Sequence, residues 1–402
     1  MENGGSLSTL NTFSSNDPSS HSPLPSPIIK KRTKGQLIRE KLAVNFFDDS
    51  ENMDAETGRI MRQLAISENG LVSDEYRRRI WPILSRALIM TTGENDFEEN
   101  EDLNLENNDF LNKHPEYRQV EMDVRRTLAR FPPHIDDIDR TRLQHLLIPV
   151  VVRILHQYPT FRYYQGFHDV CLTILLVVED PIITYKICRR LACANFRLFL
   201  EKPLDIATES LYLMYPLFKR VDPELYEFLW RSQVGVMFAL SWQLTWFAHV
   251  IDDYSSVVRL YDLFLASHPL MPVYLAASLI LYRSPDILAL ECDMAPVHGF
   301  LTKPPTNLPL EALISDAQDL FVEYPPSMLK EMNVALKKEQ DRIMRLRQIR
   351  KRHSSWPQIL IPGVHGESPG KKAMKITFLT VTAAAAAYYF YSRYPLQVFR
   401  VV

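Results

Sequence analysis

Glycine is scarce in this chain: 12 of 402 residues, against about 7% in an average protein. Nine of the twelve lie before residue 94 or after residue 362, so only Gly166, Gly235 and Gly299 remain between Asn95 and Pro362. All-β folds need many tight turns, and those turns draw on residues that tolerate positive φ. Their shortage disfavours such a fold. It also leaves no glycine-rich nucleotide loop. No G-x-G-x-x-G occurs, and the nearest Walker-like string, Gly366-Glu-Ser-Pro-Gly370-Lys371-Lys372, is one residue short, lacks the Ser/Thr and follows no strand.

Other absences narrow the chemistry. The four cysteines (Cys171, Cys188, Cys193, Cys292) form no C-x-x-C pair, which reads as reduced thiols in a cytosol-facing protein. With 46 basic and 48 acidic residues the net charge is −2, so no overall pull towards nucleic acid is expected. There is no G-x-S-x-G, no H-E-x-x-H and no Cys/His cluster at ligand spacing, so neither a metal site nor standalone hydrolysis is expected. His168 and Asp169 are sequence neighbours, and on a helix such neighbours are expected to point apart rather than form a dyad.

What is present divides the chain. Residues 1–36 are rich in Ser, Pro and Asn, with Ser22-Pro23 and Ser26-Pro27, and lack a basic start followed by an apolar run; they read as a disordered tail, not a signal peptide. In Gly70 to Pro82, Ser73 is a candidate N-cap, with Asp74 and Glu75 in the first turn. Glu94 to Asp109 is acidic and Asn-rich and reads as a solvated loop. From Val120 onward the apolar spacing is helical, as in Leu143, Leu146, Leu147, Val150, Val151, Ile154 and Leu155. Pro149 within that run predicts a kink or a second helix start. Further helices are expected at 167–178, 184–199, 209–219, 223–230, 233–251, 256–267, 271–282 and 312–321. The expected class is all-α.

Three apolar stretches approach membrane-span length. Ser232–Ile251 and Leu263–Tyr282 carry no formal charge, but polar side chains in the first and Pro269 and Pro272 in the second mark them as buried helices. The third, 376–392, follows a Pro/Gly linker and Lys371, Lys372 and Lys375, and ends in Tyr388-Tyr389-Phe390-Tyr391. Basic residues on one side and aromatics on the other suit a C-terminal transmembrane anchor with a lumenal end. Before it, Lys337 to His353 holds eight basic and two acidic residues, either a headgroup-facing helix or a solvated linker.

Two segments stand out chemically. In Val120 to Pro132, Val120, Val124, Leu128 and Phe131 form an apolar stripe, while Asp123, Arg126 and Arg130 share the other flank. Asp123 and Arg126 are i, i+3 neighbours, so the carboxylate can orient the guanidinium; a plain solvated face gives the same pattern. In Tyr163-Tyr164-Gln165-Gly166, a glycine at a helix entrance follows a glutamine able to donate and accept at once. A plain turn gives that pattern too.

Together and in this order, the segments resemble the signatures of TBC domains, the catalytic modules of Rab GTPase-activating proteins. Val120-x-x-Asp123-x-x-Arg126 is similar to I-x-x-D-x-x-R, and Tyr163-Tyr164-Gln165-Gly166 to Y-x-Q-G. Phe238 to Trp242 with Val258-Arg259-Leu260-Tyr261-Asp262 resembles the W…R-I-W-D region, with tyrosine replacing the second tryptophan. The stretch Gly70–Pro82 looks like the usual domain start. The resemblance implies a TBC domain over 55–290, a helical extension over 291–330, a basic linker over 331–375 and the anchor. It implies Arg126 as an arginine finger and Gln165 as a glutamine finger acting in trans, with Asp123, Tyr164, Gly166, Arg259 and Asp262 supporting the domain or its Rab-facing surface. Gly166 would leave room for the approaching switch region. The hydrolysis would be the Rab's, with no cofactor of this chain's own; GTP and Mg²⁺ would come with the partner. The layout is similar to a membrane-anchored subgroup acting on the Rab of ER-to-Golgi transport, which implies an endoplasmic reticulum or Golgi membrane and a cytosolic domain. The alternative is a catalytically silent Rab-binding scaffold on a membrane.

Overall fold

A computed structural model describes residues 33–43, 55–86, 111–133, 135–201 and 208–354. Among these residues there is no strand. The helices are α1 (Lys34–Ala43), α2 (Ala55–Ile66), α3 (Asp74–Leu84), α4 (Tyr117–Leu128), α5 (Asp137–Gln157), α6 (Phe167–Val178), α7 (Pro181–Ala194) and α8 (Arg197–Glu201). They continue with α9 (Met214–Val221), α10 (Pro223–Ser232), α11 (Leu240–Leu244), α12 (Tyr254–Ala266), α13 (Met271–Tyr282), α14 (Ser284–Leu288), α15 (Met294–Leu301), α16 (Leu310–Glu323) and α17 (Pro326–Ser354). The acidic stretch 94–109 and the expected anchor 376–392 lie outside the described residues.

Aspartate sets many of the helix starts. Asp136, Asp180, Asp222, Asp253 and Asp293 each accept a backbone N–H of the following first turn. Pro181 and Pro223 stand directly after their caps, where a missing N–H costs nothing because it has no partner within the helix. The Asp180-Pro181 pair is why α7 begins three residues before its expected start. Ser73 does precede α3 in extended conformation, but its hydroxyl makes no cap bond. Pro149 sits within one continuous α5.

Two expected boundaries change. The tail does not run to residue 36: α1 starts at Lys34, with Ile38 fully buried and Gly35 O accepting from the Tyr76 hydroxyl at 3.2 Å. The extension 291–330 contains helices α15 and α16, and α16 packs along α13. Ser278 donates to Leu313 O at 3.0 Å, and Gln318 Nε2 to Ile66 O at 2.9 Å. The basic linker, expected from 331, is helical as far as Ser354; its Leu336 is buried, and one compact unit reaches Lys337 while a second begins at Lys338.

The expected helix 233–251 is also replaced. After α11 the chain turns back, with Trp246 and Phe247 both at positive φ. Both aromatic rings are buried, and a continuing helix would point successive residues 100° apart. Tyrosines bind carbonyls at this turn: Tyr164 donates to Leu244 O at 3.0 Å and Tyr261 to Thr245 O at 3.2 Å. Burial of two large rings outweighs a left-handed backbone costing roughly 1–3 kcal/mol per residue. Neither uncharged stretch forms a span. No helix among the described residues is long and apolar enough to cross a membrane.

Candidate functional site

The site begins on α4. Val120, Val124 and Leu128 are fully buried, as the spacing predicts, and fix the helix against α5 and α6. Asp123 does not stand on a solvated face: it is 1% exposed. At 100° per residue it lies only about 60° from Val120, and the loop before α6 covers it. Gln119 Nε2 donates to its Oδ2 at 2.9 Å and Arg126 Nη1 to its Oδ1 at 3.0 Å. Arg126 itself is 64% exposed along its side chain. Arg125 points elsewhere and pairs with Glu121 at 2.8 Å.

The second element is the turn entering α6. Both Glu116 carboxylate oxygens accept from Tyr163 N at 3.1 Å, and the Tyr163 hydroxyl reaches Asp123 Oδ2 at 3.2 Å. Two links therefore fasten this turn to α4. Gln165, two residues on, is exposed. Arg126 and Gln165 thus project from two elements joined through one buried carboxylate.

A buried polar chain continues inward from Tyr163. Its hydroxyl lies 2.7 Å from His168 Nδ1, and Thr127 Oγ1 lies 2.8 Å from His168 Nε2. Thr127 also donates to Asp169 Oδ1 at 2.9 Å. The expectation that His168 and Asp169 stay apart fails: Nε2 and Oδ1 are 3.2 Å apart. Neighbours on a helix are separated by about 100°, but Thr127 enters from α4 as a shared partner and draws both side chains to it. His249 Nδ1, in the turn after α11, lies 3.6 Å from Asp169 Oδ2.

Burial pushes the His168 imidazole below its ordinary value, against the attraction of Asp169 and Asp123. A neutral ring offers one N–H and one lone pair to its two hydroxyl neighbours. Burial alone would raise the Asp169 carboxyl, but His249, His168 and Thr127 together hold it below the usual range. Burial, reinforced by the charges of Asp123 and Asp169, raises the Tyr163 phenol, which therefore stays protonated.

The remaining expected residues make contacts within the domain. Tyr164 is a core residue, buried with its hydroxyl on Leu244 O; the tyrosine that meets Asp123 is Tyr163. Gly166 has a reason within its own chain. Its φ is +119°, and a Cβ there would stand 2.8 Å from Thr245 Cγ2 of this same chain. Arg259 and Asp262 are both buried. Asp262 accepts from Leu71 N at 2.9 Å, Arg77 Nη2 at 3.0 Å and Trp81 Nε1 at 2.7 Å. Arg259 grips Glu311 at 2.6 and 3.0 Å and donates to Ala65 O and Ser67 O.

The structure adds Tyr163, Gln119, Thr127, His168, Asp169 and His249 to the network around Asp123. Gln119, Asp123 and Thr127 do recur at i, i+4, i+8 beside the apolar stripe of α4, and a polar row at that spacing is a readable signal of a buried network. Among the described residues no group of three or more His, Cys, Asp or Glu is arranged to hold a metal ion.

Comparison with known proteins gives the family of the chain. The Rab-GTPase-TBC domain profile matches residues 74–288. The chain is 44% identical over 278 residues to human TBC1 domain family member 20, covering 69% of this chain and 66% of that protein. It is 33% identical over 220 residues to the GTPase-activating protein gyp10 of Schizosaccharomyces pombe, covering 52% and 57%. For the bovine TBC1 domain family member 20 the coverage of the relative is 64%, so the chain spans just under two thirds of these relatives' length. The fold is similar to the crystal structure of the Ypt/Rab-GAP domain of Gyp1p, with a TM-score of 0.50 and 18% identity, covering 71% of this chain and 99% of that one.

Proposed function

The chain belongs to the Rab-GTPase-TBC domain family, and on that premise we propose that it is a Rab GTPase-activating protein supplying Arg126 and Gln165 in trans. One observation carries the mechanism. Asp123, buried and neutralised on one side by Arg126, holds an otherwise exposed guanidinium at 3.0 Å, while Tyr163 ties the Gln165 turn to the same carboxylate.

The chemistry follows from what a slow GTPase lacks. Charge develops on the transferring phosphoryl group, and an arginine inserted from outside neutralises it, an effect worth roughly 10³–10⁵ in rate in comparable systems. A carboxylate behind the guanidinium limits its rotamers, so less entropy is lost when it enters the partner. The Gln165 amide, with both a donor and an acceptor, can orient the attacking water. This chain activates and the Rab hydrolyses; GTP and Mg²⁺ belong to the Rab.

The finer assignment, that the substrate is the Rab of ER-to-Golgi transport, rests on the similarity to TBC1 domain family member 20 and on the sequence layout. The site of action we assign is the endoplasmic reticulum membrane, or the Golgi, with residues 376–392 as anchor and the TBC domain in the cytosol. The deciding experiment is single-turnover GTP hydrolysis by a panel of purified Rabs with the full chain. At least one Rab should be stimulated by wild type and by neither Arg126→Ala nor Gln165→Ala. A variant pair as active as wild type would remove both fingers from the mechanism.

A further inference from the structure

The proposed GTPase chemistry makes no use of the charge on α17. Between Arg342 and Arg352 stand six basic residues and no acidic one, on a helix unbroken to Ser354. Early in the helix, Leu329 and Leu336 are buried. From Lys338 to Ile349 no side chain is. Arg342, Arg345 and Arg347 form no ion pair with any described residue. Apolar residues are interleaved with them: Met344, Leu346 and Ile349 are 46%, 56% and 50% exposed. Ile343, Leu346 and Ile349 recur every third position, which keeps them within an arc of about 120°. A helix meant only for water gains nothing from that arc.

We infer that residues 338–354 of α17 form a contact surface for an anionic phospholipid membrane. The arginines meet lipid phosphates, and Ile343, Leu346 and Ile349 reach the boundary between headgroups and acyl chains. Guanidinium groups match phosphate oxygens in pairs, and dense clusters of Lys and Arg are drawn to anionic leaflets. Nucleic acid would satisfy the arginines but offers no apolar layer to the isoleucines and leucine; a lipid boundary satisfies both. The sequence beyond the helix supports this choice, since Lys371, Lys372 and Lys375 lead into the uncharged run Ile376–Tyr391. The assignment does not depend on the GTPase reading.

The test uses the full chain reconstituted into vesicles of phosphatidylcholine, alone or mixed with phosphatidylserine, with hydrogen exchange followed over 338–354. Exchange should slow several-fold on the mixed vesicles only, and recover in high salt. Combining Arg342→Gln, Arg345→Gln and Arg347→Gln should weaken the contact roughly a hundredfold, at roughly fivefold per basic residue. The same variant should stimulate a soluble Rab as well as wild type does. Equal exchange on neutral and mixed vesicles overturns the inference. Protection by inorganic phosphate or RNA, but not by vesicles, overturns it as well and reassigns the cluster to that ligand. Loss of Rab stimulation in wild type would sink the GTPase proposal alone and leave the exchange result standing.

Discussion

The Arg126 guanidinium, largely in solvent, donates at 3.0 Å to the carboxylate of Asp123, which is almost wholly out of it. The pair joins a reactive surface group to the buried polar interior. Removing Arg126 should cost function first. Arg126→Ala is expected to abolish most stimulated hydrolysis and to lower stability by about 1–3 kcal/mol, because the buried Asp123 carboxylate loses its cationic donor and keeps only those of Gln119 and Tyr163. Arg125→Ala, on the Glu121 side, should be much milder. Single-turnover assays and urea midpoints on the two variants check both halves, and greater sensitivity at Arg125 would overturn the register.

Tyr163→Phe removes one oxygen that meets both Asp123 and His168. Leaving these buried groups short of a partner should cost about 1–3 kcal/mol. Stimulated hydrolysis should fall as well, because the turn bearing Gln165 loses one of its ties to α4. Tyr164→Phe should lower stability by a similar hydrogen-bond increment, with a smaller effect on stimulation at saturating protein. Kinetics and chemical denaturation of the two variants side by side separate these outcomes.

Gly70 and Asp262 form the other fixed point. A Cβ at Gly70 would sit 2.4 Å from Asp262 Oδ2, on a backbone at φ +51°. Gly70→Ala should destabilise the domain by about 2–4 kcal/mol through strain and steric conflict. Asp262→Ala should cost about 3–5 kcal/mol, because buried Arg77 keeps only Asp74 as an ionic partner and Leu71 N and Trp81 Nε1 lose their acceptor. Denaturant unfolding monitored by circular dichroism measures both.

His168 predicts a pH dependence. Its folded pKa is lowered from the ordinary 6.5, chiefly by burial, so the unfolded chain binds a proton more readily than the folded one. Stability should be complete above pH ~6.5 and decline as pH falls from there through the lowered folded value. Asp169 works in a lower window: its depressed carboxyl contributes stability above about pH 4 that is lost as pH falls through its folded value. Melting temperatures between pH 7.5 and pH 5, the ends of a range spanning roughly one unit above and below the ordinary histidine value, should fall for wild type and fall less for His168→Gln.

Deleting 376–402 should move the protein from the membrane to the soluble fraction of cells. Unchanged fractionation of the deletion would refute the anchor.

Much of the architecture could be read from the chain itself. The apolar period of α4 gave its buried stripe, and the limits of α6 and α13 coincide with the expected 167–178 and 271–282. A stripe repeated every 3.6 residues is a local property, carried by adjacent side chains whatever they later pack against. Motif order likewise gave the family. What lay beyond reach was long-range: Asp123 became a buried hub only when Tyr163, forty residues away, closed over it. Trp246 and Phe247 break an apparently helical run because the core takes both rings, each against Phe264 of α12. Gly166 shows the division most plainly. The sequence marked it as a rare glycine beside Gln165, with its neighbourhood open. The folded chain puts Thr245 against it, from nearly eighty residues away, so the room this glycine leaves is filled by the protein itself. Local periodicity and composition fix which segments become helices; which polar side chain meets which is decided by the packing of those helices.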